Sequence, residues 1–128
     1  MSLLNEFFFL KEAMVKKILV VDDEVEVCNL IRDILETEGF EADVSYSGKE
    51  CLQKVNEDGY SALLLDIMMP GLSGEDVLKL LRKEGEKIPV VYVTIKPKAE
   101  IDTRKVDGFV QKPFKNEELI DVVKSVVS

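Results

Sequence analysis

Short apolar runs of strand length alternate along this chain with stretches whose apolar residues recur at helical spacing. That alternation limits the fold more than any other feature. KILVV (17–21), SALLL (61–65), PVVYV (89–93) and the shorter GFVQ (108–111) read as strands, and nearly unbroken apolar runs suit strands buried on both faces. Residues 41–46 are more polar and suit a sheet edge. Between these runs, residues 25–38 place Val27, Leu30, Ile31, Ile34 and Leu35 on one helical face, with Gly39 to end the helix. Residues 49–57 are helical through Cys51, Leu52 and Val55, with Ser47 as N-cap. Residues 75–83 are helical through Val77, Leu80 and Leu81, with Ser73 as N-cap, and 117–127 form the last helix. Strands that alternate with helices predict an α/β fold, a parallel sheet covered on both faces through right-handed crossovers.

A chain of 128 residues can bury one core, and no linker, repeat or low-complexity stretch divides it. One domain is expected over 15–128, preceded by an extension over 1–14. MSLLNEFFFLKEAM is too short to span a bilayer and lacks the basic start and small-residue cleavage pair of a signal peptide. Its Leu3, Leu4, Phe7, Phe8, Leu10 and Met14 fall near helical spacing. It is either an over-extended start or a short amphipathic helix that docks on the domain or on a second subunit, as in a homodimer. Acidic residues outnumber basic ones by 25 to 17, a net charge of −8 that argues against a nucleic-acid surface. Cys28 and Cys51 lack metal-ligand spacing and read as buried free thiols of a cytoplasmic protein. The absence of histidine excludes an imidazole base and a His-ligated zinc.

Polar residues fall at the carboxyl ends of the predicted strands: Asp22-Asp23 after the first, Asp66 after the third, Thr94 after the fourth, Lys112 after the fifth. In an open parallel sheet those ends share one edge, where ligands bind. Clustered carboxylates repel unless a cation intervenes, and Mg²⁺ suits hard oxygen ligands that leave room for water and substrate. Lys112 adds a positive charge that a phosphoryl group would use, and Thr94 adds a hydroxyl. Together these groups make a phosphoryl-transfer site. With no histidine or cysteine among them, the nucleophile is a carboxylate and the product an aspartyl phosphate.

ILVVDDE (18–24), LLLDIMMPGLSG (63–74), VVYVT (90–94) and FVQKPF (109–114) occur in this order on the predicted strand ends. From Val15 onward the chain resembles the receiver domain of two-component response regulators, including the stand-alone chemotaxis type. The resemblance implies a flavodoxin-like, doubly wound sheet of five parallel strands in the order 2-1-3-4-5. It implies Asp66 as phospho-acceptor, Mg²⁺ held by Asp23 directly, Asp22 mostly through water, Asp66 and the Met68 backbone carbonyl. Lys112 would pair with the phosphoryl oxygens, Thr94 would hydrogen-bond them, and Phe109 would be the switch aromatic. Lys112-Pro113 would be a cis peptide, and Pro70-Gly71 a tight turn. The implied partners are a histidine kinase or phosphotransfer protein and a downstream effector protein, with no nucleic acid or membrane bound directly.

Two features depart from the family's pattern. Ile95 follows Thr94 where a small residue is usual, and the stretch from Thr94 to Lys112 is short, with little apolar periodicity. A shortened or missing fourth helix is expected, which alters the family's usual output surface. Simpler roles also exist for these residues: Asp22-Asp23 as helix-start acids, Lys112 as a solvated lysine, Thr94 as a strand residue, Met68 as a loop contact and Phe109 as core. Three functions follow: a phosphorylation-dependent signalling switch that is not an enzyme, a protein-binding scaffold that is never phosphorylated, or an aspartate-nucleophile phosphatase. The last normally needs an acid two residues past the nucleophile, where this chain has Met68.

Overall fold

The computed structural model describes residues 15–57 and 59–128, together with Leu3 and Glu6. The expected amphipathic helix over the first fourteen residues otherwise lies outside the described residues. Five strands, β1 (Lys17–Val21), β2 (Glu41–Ser45), β3 (Ala62–Leu65), β4 (Val90–Thr94) and β5 (Gly108–Gln111), form one sheet. Every pairing is parallel and the order is β2-β1-β3-β4-β5. Four helices connect or follow them: α1 (Val25–Thr37), α2 (Gly48–Glu57), α3 (Gly74–Lys83) and α4 (Asn116–Val127). Between β4 and β5 the chain makes only two 3-10 turns, Lys98–Glu100 and Thr103–Lys105. This is the shortened fourth helical segment that the sequence predicts.

Alternation along the strands builds two cores, one on each side of the sheet. Leu19, Val21, Leu63, Leu65, Val90 and Tyr92 face α2 and α3, while Ile18, Val20, Ala62, Leu64, Val91 and Val93 face α1 and α4. Covering both faces explains why the inner strands carry no polar positions until they end. β2, at one edge, pairs only with β1 and is the strand read as polar.

Two helix faces differ from the sequence reading. In α1 the buried residues are Cys28, Ile31, Ile34 and Leu35, whereas Leu30 is 54% exposed. At about 100° per residue, Leu30 sits a quarter-turn from Ile31, the centre of the buried stripe. In α3 the buried residues are Gly74, Val77, Leu78 and Leu81, and Leu80 lies at the margin. Leu78 joins the core on this side of the sheet, and Gly74 lies directly against the backbone that follows β3.

Both helix starts expected from serine caps are present. Ser47 Oγ accepts from the Glu50 N–H at 3.1 Å. Ser73 Oγ accepts from the Asp76 N–H at 3.1 Å while Asp76 returns a bond from the Ser73 N–H at 3.0 Å, a reciprocal box. Cys28 and Cys51 are buried and unpaired. No helix among the described residues is long and apolar enough to cross a membrane.

Candidate functional site

The strand order reverses between β1 and β3, and the carboxyl ends of these neighbours frame a crevice. Asp22 and Asp23 leave β1, Asp66 leaves β3, Thr94 closes β4, and Lys112 follows β5. One carboxylate oxygen from each of Asp22, Asp23 and Asp66 lies within 4.8 Å of the others. Asp22 and Asp66 are buried, at 2% and 5% exposure, and Asp23 is exposed at the mouth.

Each buried acid is held by a backbone donor as well as by Lys112. The Glu24 N–H donates to Asp22 Oδ1 at 2.9 Å, and the Met68 N–H donates to Asp66 Oδ1 at 3.2 Å. Lys112 Nζ reaches Asp22 Oδ2 at 2.6 Å and Asp66 Oδ2 at 3.4 Å, so it bridges the two carboxylates. Burial pushes the Asp66 carboxyl above its ordinary range and the charge of Asp22 adds to this. Lys112, the Thr94 hydroxyl and the Met68 N–H oppose that rise without cancelling it. For Lys112, burial works against the ammonium form, but hydrogen bonds and charges from Asp22 and Asp66 outweigh it and raise its pKa. The buried Thr94 also accepts from the Lys96 N–H through its Oγ1, at 3.3 Å.

Three carboxylates beside one ammonium and one hydroxyl leave an excess of negative charge that a hard divalent cation would relieve. A family model described as the response regulator receiver domain matches residues 18–124. The chain belongs to this family.

This receiver domain is 39% identical over 116 residues to the transcriptional regulatory protein CpxR homolog of Haemophilus influenzae, a match covering 87% of this chain and 50% of that protein. The chain spans about half the length of the curated relatives it matches. Among solved structures, the response regulator TrrA of Thermotoga maritima in complex with Mg²⁺-BeF is 34% identical, with a TM-score of 0.81 over 88% of this chain and 99% of that one. TrrA in complex with the histidine kinase ThkA is matched with 35% identity and a TM-score of 0.81, over 89% of this chain and 100% of that one.

The remaining candidates of the receiver domain lie on the loops and strand that follow β3, β4 and the second 3-10 turn. Met68 is exposed beside Asp66, and Ile95 is 59% exposed next to Thr94. Phe109 is partly buried and packs against the core shared with α2 and α3. The Lys112–Pro113 peptide is cis, and Gly71 has φ +75°, the left-handed conformation that the turn after Pro70 requires.

Sequence reasoning did not single out Gly74 or Gln111. A Cβ on Gly74 would clash with the Asp66 carbonyl oxygen and stand 2.8 Å from Ile67 Cα, so only glycine lets α3 begin against the loop that carries Asp66. The Gly74 N–H also donates to the Ile67 carbonyl at 2.9 Å. Gln111 Nε2 donates to the Ile95 carbonyl at 2.8 Å and ties the loop after Thr94 to β5. For Gly74 a signal existed in the Ser-Gly pair that opens the helix; for Gln111 there was none.

Proposed function

We propose that the chain is a phosphorylation-dependent switch in which Asp66 accepts a phosphoryl group from a histidine kinase or phosphotransfer protein. The observation that carries this reading is the convergence of Asp22, Asp23 and Asp66 within 4.8 Å at the strand-order reversal, with Lys112 touching both buried acids. This donor set fits Mg²⁺, which Asp22, Asp23, Asp66 and the Met68 carbonyl would hold. When bound, the ion supplies charge neutralisation for the phosphoryl oxygens.

The chain's own groups do the rest. An Asp66 carboxylate oxygen attacks phosphorus, forming a P–O bond as the P–N bond to the donor imidazole breaks. The imidazole leaves with the electron pair and takes its proton from solvent. Lys112 shifts its ammonium from the two carboxylates toward the new phosphoryl oxygens, and the Thr94 hydroxyl donates to one of them. The space vacated beside Thr94 admits Phe109, which is the change read by an effector protein. Support for donor and ion comes from the relative TrrA, seen both with a histidine kinase and with Mg²⁺-BeF. A phosphatase would need an acid where Met68 stands.

Adding Mg²⁺ with beryllofluoride to the protein should shift the NMR signals of Asp66, Thr94 and Phe109, and Asp66→Asn should abolish the response. No response in the wild type would leave the scaffold reading, and continuous release of phosphate from a small phosphodonor at enzyme-like rates would favour the phosphatase. Lys112→Ala should still bind Mg²⁺ yet accept phosphate poorly; unchanged labelling would remove Lys112 from its assigned role.

A further inference from the structure

The turn after Thr94 contains one peptide unit that is held from both sides. On one side Gln111 Nε2, at the end of β5, donates to the Ile95 carbonyl at 2.8 Å and lies 3.5 Å from the Thr94 carbonyl. On the other, the Lys96 N–H donates to Thr94 Oγ1 at 3.3 Å. The Ile95 carbonyl and the Lys96 N–H belong to the same planar trans peptide, so they point in opposite directions. Holding the carbonyl with the Gln111 amide therefore aims the N–H at the threonine hydroxyl.

Thr94 is fully buried, whereas Ile95 and Gln111 are exposed. While Thr94 Oγ1 accepts from Lys96, its side chain cannot rotate without losing that bond, and its one proton stays available to another acceptor. The Asp66 carboxylate is the group that this hydroxyl stabilises. A second hold on the turn is the ion pair of Lys96 Nζ with Glu75 at 3.2 Å. That pair is partly exposed and acts at the tip of a flexible side chain, so it restrains the backbone little. Gln111 acts on the peptide itself.

We propose that Gln111 is a positioning residue for the acceptor site: by holding the Ile95–Lys96 peptide, it keeps the Thr94 hydroxyl turned toward the phosphoryl group on Asp66. Its effect passes through Thr94 alone. A donor set in place beforehand needs no reorganisation as charge builds on the phosphoryl oxygens. If the peptide were free to turn over, the Lys96 N–H would leave Thr94 and the hydroxyl would be free to rotate. The inference rests on the reading of Asp66 as acceptor and Thr94 as donor, and its test separates the failure of either.

Gln111→Met keeps the length of the side chain and removes only the donor, at an exposed position where folding should be unaffected. NMR of the Lys96 amide and the rate of labelling by acetyl phosphate with Mg²⁺ are the readouts. In Gln111→Met the Lys96 amide proton should move upfield and exchange about threefold to tenfold faster, and it should do the same in Thr94→Val. Labelling of Gln111→Met should slow by a similar factor, with the acetyl phosphate concentration for half-maximal rate unchanged. Added to Thr94→Val, Gln111→Met should slow labelling no further, whereas in Thr94→Ser, which keeps a hydroxyl, its effect should persist. An unmoved Lys96 amide, labelling of Gln111→Met as fast as wild type, or the same slowing in the Thr94→Val background would overturn the inference. A Lys96 amide that responds as expected in a protein that is never labelled would instead contradict Asp66 as acceptor and support the hold of Gln111 on the turn.

Discussion

Asp66 carries a burial problem that the surrounding residues only partly relieve. Its carboxyl is raised by burial and by Asp22, and the favourable contacts of Lys112 and Thr94 do not restore it. Because the folded-state pKa lies above the unfolded one, ionised Asp66 opposes folding. Its contribution to stability is fully present below the ordinary carboxyl pKa of about 4 and is lost as pH rises through the raised value. In metal-free buffer, Asp66→Asn should therefore raise the thermal midpoint at neutral pH, and the gain should vanish as the pH approaches about 4, the ordinary carboxyl range. Thermal melts across that pH range check the sign. The cysteines behave oppositely to a reactive thiol. Burial pushes Cys28 to about 11, with the charge of Asp22 adding to it, and pushes Cys51 to about 12. Neither should react with a thiol reagent at pH 8 in the native protein, and both should react once it is unfolded.

Among the elements, α3 matters most for the site, since its first turn presses on the loop carrying Asp66. Gly74→Ala places a methyl group against backbone that cannot yield, and should cost about 1–3 kcal/mol in denaturant unfolding. It should also displace the Asp66 and Ile67 signals. Ser73→Ala removes one half of the capping box and should cost about 1 kcal/mol without moving those signals. How much of this was visible beforehand depends on the kind of interaction. The strands could be read because a sheet covered on both faces demands unbroken apolar runs, and the acids, threonine and lysine stood out where those runs stop. The reduced fourth helix was legible as missing periodicity after Thr94. Leu30 and Leu80 were misplaced because apolar spacing alone cannot say which edge of a stripe the tertiary contacts favour. The Glu24 and Met68 N–H donors could not be read at all, since every residue but proline offers the same group.

For the whole molecule, a net charge of −8 and a concentrated acid cluster make a divalent cation the natural stabiliser. A ligand that binds only the folded state adds about 2.7 kcal/mol at a hundredfold excess over its Kd. Mg²⁺ should thus raise the thermal midpoint, EDTA should reverse the effect, and Asp23→Asn should blunt it. An unchanged midpoint at high Mg²⁺ would argue against the ligand set. The central claim is that Asp66 is a phospho-acceptor, and mass spectrometry of the protein incubated with Mg²⁺ and acetyl phosphate tests it most directly. A gain of one phosphoryl group is expected, mapped to the peptide containing Asp66 and absent in Asp66→Asn. A protein that stays unmodified, or that is labelled equally after the substitution, would contradict it.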